Sequence, residues 1–185
     1  MNQNLLDRRI LAIALRSRRF AYAVFERSDR LLDWGMVFYP LNNTKQRAAA
    51  SKRIASLLTL FAPSEVVVGK ARLLNTRKSS GVGPILRSFR REASSRFIPV
   101  RLMNRREMKK AFSLFRAKSR YEIASMLAEV FPELLPRLPA KRKIWESEHP
   151  RMVMFDAIAL GFAYWQLYDT RDPTADDGTT ATKLA

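Results

Sequence analysis

Residues 10–26 read ILAIALRSRRFAYAVFE. The first six are apolar without a break, which suits a central strand covered on both faces. The next run, FAYAVFE (20–26), sets small alanines between aromatic and branched groups. The link between them, 16–19, is short enough for a hairpin. A second short link (27–30) leads to LLDWGMVFY (31–39), where Trp34, Val37, Phe38 and Tyr39 favour a strand. The chain therefore opens with an antiparallel meander of three strands.

Beyond residue 40 the period changes. Thr44 is a plausible N-cap for a helix running to about residue 61, with Ile54, Leu57, Leu58 and Phe61 on one face and Pro63 ending it. EVVVG (65–69) is the most strand-like segment and suits a buried parallel strand. A loop rich in Ser, Gly and Arg (72–83) follows, and Pro84 at a first helical turn leads into a helix with Ile85, Leu86, Phe89 and Ala93 inward. FIPVRLM (97–103) reads as a fifth strand, at an edge because of Pro99. Helices are expected over 105–112 and 120–131, a proline-containing connection over 134–150, and a last helix over 151–167. This order makes an α/β domain, a mixed sheet flanked by helices, over 1–168. Residues 169–185 are acidic and Thr-rich without an apolar face, so disorder is expected there.

The chain has 185 residues and 21.3 kDa, with 47% hydrophobic and 28% charged residues, an ordinary globular composition. Its charge is not ordinary. Thirty-four Lys and Arg oppose 17 Asp and Glu, a net +17 with a pI near 11.0. Such a domain expects a polyanionic partner, nucleic acid before an anionic membrane surface. The absence of cysteine excludes disulfides, thiolate metal sites and a cysteine nucleophile, and fits a reducing, cytoplasmic setting. His149 is the one histidine, which excludes a multi-histidine metal site. The run 10–15 is too short for a signal-peptide core, and 157–168 is too short to span a bilayer, so a soluble protein is expected.

Four segments carry a resemblance. They are ILAIALRSRRFAYAVFE (10–26), PSEVVVGKARL (63–73), RREMKKAF (105–112) with AKSRYEIASMLAEVF (117–131), and MVMFDAIALGFAYW (152–165). In this order and spacing they are similar to the RuvC family of Holliday-junction resolvases, which has the ribonuclease H-like fold. Ser17 and Tyr22 match the family's first turn and second strand, and Arg106 and Lys109 match its Arg-x-x-Lys pattern. With the meander-then-alternation order, the resemblance implies a five-stranded mixed sheet in the order 3-2-1-4-5. Strand 2 would be antiparallel to its neighbours, and strands 1 and 4 adjacent and parallel. It also implies a possible homodimer.

The chemistry departs from that family. Two-metal hydrolysis needs several carboxylates around ions about 3.5–4 Å apart. Of the four family carboxylate positions this chain keeps Asp156, while Ala14, Gly69 and Val153 stand at the others. Arg16, Arg18, Arg19 and Lys70 flank the vacated positions and favour phosphate over metal. No metal or other cofactor is therefore expected. Asp156 itself has a simpler role available, bonding to backbone or to an arginine, and His149 reads as a surface histidine. Ser79, Gly81 and Gly83 suggest a phosphate loop, but the Walker spacing is absent.

Residues 72–120 hold 15 Lys or Arg against Glu92 and Glu107. The expected nucleic-acid contacts are Arg16, Arg18, Arg19, Lys70, Arg72, Arg77, Lys78, Arg106, Lys109, Lys118 and Arg120, concentrated in basic loops at 70–78 and 116–120. Nothing encodes base readout, so binding is expected to be backbone-directed and structure-selective; with the missing carboxylates the expected function is non-catalytic nucleic-acid binding, DNA ranking ahead of RNA without excluding it. Two other readings compete. One is a Mg²⁺-dependent, structure-specific endonuclease with a site rebuilt from Asp156 and Glu146 or Glu148. The other is a module that docks on protein or ribonucleoprotein.

Overall fold

Alternating side-chain size along the first two strands decides how the layers stack. In the computed structural model, which describes residues 8–39, 44–69 and 82–168 (side chains from 48 in the second stretch), β1 (Ile10–Arg16), β2 (Arg19–Arg27) and β3 (Arg30–Phe38) form the antiparallel meander. α1 (Thr44–Phe61) leads to β4 (Glu65–Gly69), which lies parallel to β1 with Ile10 opposite Glu65. α2 (Val82–Ser94) leads to β5 (Val100–Met103), parallel to β4 at the edge. The sheet order is β3-β2-β1-β4-β5, as expected. α3 (Arg105–Phe112), α4 (Arg120–Val130) and α5 (Met152–Tyr168) follow.

One sheet face presents Leu11, Ile13, Leu15, Phe20, Tyr22, Val24, Val66 and Val68 to α1 and α2. The other presents Ala12, Ala14, Ala21 and Ala23, and the register sets Ala12 opposite Ala23 and Ala14 opposite Ala21. This floor of methyl groups lets α5 settle close to the sheet. At the contact stands Gly161, where an added Cβ would lie 2.3 Å from the Phe25 ring and 3.3 Å from Ala12 Cβ. α5 is apolar on nearly every side because sheet, α3 and α4 enclose it, and Asp156 is its one acidic residue.

Three boundaries differ from expectation. The fifth strand begins at Val100 rather than residue 97, because the chain first closes the end of α2: Phe97 N donates to Ser94 O (3.0 Å) and Ile98 N to Ala93 O (2.9 Å). This turn holds Phe97 at φ 56°, a left-handed conformation that usually selects glycine. α2 starts at Val82, two residues before Pro84, so the proline still occupies the first turn. The connection over 134–150 is not wholly irregular, since Pro132–Arg137 forms a 3-10 helix. The tail 169–185 lies outside the described residues. No helix among the described residues is long and apolar enough to cross a membrane.

Candidate nucleic-acid interface

Parallel strands end together, and open α/β sheets bind ligands outside those carboxyl ends. Here β1, β4 and β5 end at Arg16, Gly69 and Met103, and the three residues line one cavity of about 880 Å³. α3, the turn joining it to α4, and the first half of α5 complete the walls. The floor is apolar, with Met108, Phe112, Phe155 and Leu160. The rim is basic, with Arg16, Arg105, Lys109, Arg116, Lys118 and Arg120.

Two capping boxes fix that rim. Asn104 Oδ1 accepts from the backbone N–H of Arg106 (2.8 Å) and Glu107 (3.1 Å), while Glu107 returns a carboxylate to Asn104 N (2.6 Å). Ser119 and Glu122 repeat the exchange at the start of α4. Each box places arginine in the first helical turn, Arg105 and Arg106 in α3 and Arg120 in α4. A cation there opposes the positive end of the helix dipole. Hydrogen bonds from those backbone N–H groups hold the Glu107 and Glu122 carboxyls below the usual carboxylate range.

Asp156 lies at the centre. Arg120 forks it, Nε to Oδ1 at 3.0 Å and Nη2 to Oδ2 at 2.5 Å, and Arg16 Nη2 reaches Oδ2 at 2.7 Å. The remaining amino group of Arg120 pairs with Glu148. Burial pushes the Asp156 carboxyl upward, and Arg120 and Arg16 pull it back. Burial likewise works against the Arg120 charge, and Asp156 and Glu148 outweigh it, so Arg120 lies above its ordinary value.

The structure thus brings Ala14, Gly69, Asp156, Arg16, Lys109, Lys118 and Arg120 to one cavity. Val153 does not join them; it is buried at 6% exposure in the core around α5. Arg106 lies in α3 beside the lining residue Arg105 but does not itself line the cavity. Arg18 and Arg19 sit where β1 turns into β2, also off the cavity, and the Arg19 guanidinium stacks 5.6 Å from the Phe38 ring centroid. Lys70, Arg72, Arg77 and Lys78, with Ser79 and Gly81, fall outside the described residues. His149 is exposed, and its Nδ1 accepts from Arg151 N at 3.2 Å. Arg105 lines the cavity and was not among the expected contacts. Its position directly after a capping asparagine was the available signal.

A pair of divalent cations does not fit this donor set. Ala14 and Gly69 offer no side-chain oxygen at the cavity wall, and both Asp156 oxygens already accept from guanidinium groups. Among the described residues no three His, Cys, Asp or Glu side chains cluster as a metal site.

No family model matches the chain, and no curated protein matches it in sequence. Solved structures do share its fold. Thermus thermophilus RuvC in complex with Holliday junction substrate is 17% identical, covering 86% of this chain and 93% of that one at a TM-score of 0.64. A second Thermus thermophilus RuvC structure is 16% identical, covering 85% and 93% at the same TM-score. The sheet order and this similarity establish the RuvC-type, ribonuclease H-like fold.

Proposed function

We propose that this chain is a RuvC-like DNA-binding protein without nuclease chemistry, which holds branched or distorted DNA by its phosphates over the basic rim. The observation that carries the reading is the state of Asp156. At the cavity where a nuclease of this fold would gather carboxylates, two arginines clamp Asp156, the one carboxylate lining it among the described residues. Arginine matches phosphate in a bidentate fork, and Arg105, Lys109, Arg116 and Lys118 extend the cationic surface around it. The cations of 70–78 join this set on sequence grounds, since that segment leaves β4 at Gly69. The solved Thermus RuvC complex, which contains a Holliday junction, supports a branched substrate.

Salt-dependent binding tests the proposal. Affinity for duplex or four-way DNA should fall with salt at a log–log slope of about −0.9 per phosphate neutralised. Substituting Arg105, Lys109 and Lys118 by Ala should weaken binding and flatten the slope by about one unit per lost contact. Lys52, Arg87 and Arg90, exposed on the layer across the sheet, remove equal charge and should change little. Equal losses from both triples would reduce the binding to diffuse attraction by net charge. No loss from either would favour a protein or ribonucleoprotein partner.

A further inference from the structure

Between the 3-10 helix and α5 the chain runs through AKRKIWESEHPR, and all twelve of these residues, 140–151, are exposed. The segment is nevertheless organised. Glu146 N donates to Lys143 O (3.1 Å), Lys143 N donates to Glu146 Oε2 (3.0 Å), and Arg142 Nη1 donates to the Glu146 carbonyl (3.0 Å). These bonds close a tight turn with Ile144 and Trp145 at its tip, 93% and 80% exposed. Turn tips ordinarily carry Gly, Pro, Asn, Asp or Ser. Here the tip carries an indole in water, with the Lys143 ammonium 5.8 Å from its ring centroid and Lys141 and Arg142 just behind. Glu148, three residues on, pairs with Arg120 and so fastens this turn to the rim of the basic cavity.

An exposed flat aromatic among cations, beside a phosphate-binding surface, has the chemistry of a base-stacking platform. We propose that Trp145 stacks on an unpaired base of DNA whose phosphates lie on the cavity rim, so that this turn selects distorted over fully paired DNA. The proposal rests on the DNA-binding reading of the cavity and adds to it the feature being selected. In a continuous duplex each base already has two stacking neighbours, and the indole gains nothing there. At a branch point, bulge or gap a base face is free. Stacking tolerates any base, which agrees with a sequence in which nothing encodes base readout. A membrane interface also accepts Trp beside Lys, but that source would not require the turn to be fastened at the rim.

The test compares two DNA probes of equal length, one fully paired and one with a central run of unpaired thymidines, at one moderate salt concentration. Trp145→Ala should lose affinity for the unpaired probe by roughly tenfold while keeping its affinity for the paired probe. Trp145→Phe should retain most of the preference. Indole fluorescence should quench on binding the unpaired probe in the native chain, and that change should vanish in Trp145→Phe; Trp165, at 3% exposure, should contribute little to it. If native protein and Trp145→Ala bind both probes alike, the stacking role is wrong and the basic cavity keeps its reading. If the native protein binds neither probe, both fall together. If Trp145 fluorescence responds to phosphatidylserine vesicles and not to the unpaired probe, the turn is a membrane contact and the proposal fails.

Discussion

Asp156 shares its arrangement with the two buried acids, Glu26 and Glu65. Glu26 is gripped by Arg9 (3.3 Å) and Arg30 (2.8 Å), and Glu65 by Arg101 (2.7 Å) and Arg8 (3.7 Å), as Asp156 is by Arg16 and Arg120. Glu65 also accepts from the Tyr164 hydroxyl at 2.6 Å, and burial with that bond pushes this phenol up to about 12. Placing a carboxylate low in the fold under two guanidiniums is therefore how this chain carries acids at depth, and the pairing at Asp156 follows the same pattern. Asp156→Asn removes the charge and strands two cations together. The cost should be about 1–2 kcal/mol, less than for a fully buried pair because Arg16 and Arg120 are 35% and 37% exposed. The same change frees both guanidiniums for phosphate, so DNA affinity should hold or rise while thermal stability drops. A variant with unchanged melting temperature and weakened binding would contradict this account.

The helix starts were legible in sequence to different degrees. α3 and α4 begin where expected, since Asn104 with Glu107 and Ser119 with Glu122 are local devices encoded in four residues. The start of β5 is not legible in this way, because a helix-closing turn at a left-handed Phe97 has no such signature. The clamp on Asp156 was foreseen only as one role among others, because Arg16, Arg120 and Asp156 are far apart in sequence and meet only in the fold. The capping boxes themselves make a pH prediction. Glu107 and Glu122 ionise more readily when folded, so their stabilisation is complete above the ordinary value of 4.5 and fades as pH falls through their lowered values. Melting temperature should decline between about pH 5 and pH 3. The double variant Glu107→Gln, Glu122→Gln should show a shallower decline, and an identical one would remove the caps as its source.

At the scale of the molecule, scaffold and chemistry separate. The order of elements along the chain followed from apolar runs and short links, features that any protein of this architecture needs for packing, and the strand order from that together with the resemblance. Function depends on the side chains at the strand ends, and one architecture supports many of those. The purified protein should therefore leave four-way DNA uncut in Mg²⁺ or Mn²⁺ under conditions where it binds that DNA, as read on a denaturing gel. Cleavage that disappears in Asp156→Asn would restore the endonuclease reading. The double clamp on Asp156 has a further consequence for how this sequence can change. Turning the cavity into a metal centre would take new acids at positions 14 and 69 together with the loss of Arg16 and Arg120. Gly69 has Leu160 Cδ1 only 3.0 Å from where its Cβ would stand, so even the first step is crowded. A lone new acid would be captured by the arginines, and the loss of either arginine would leave Asp156 held by the other. If the cavity holds phosphate as proposed, no single replacement converts it to a metal site, and its own side chains act as a ratchet.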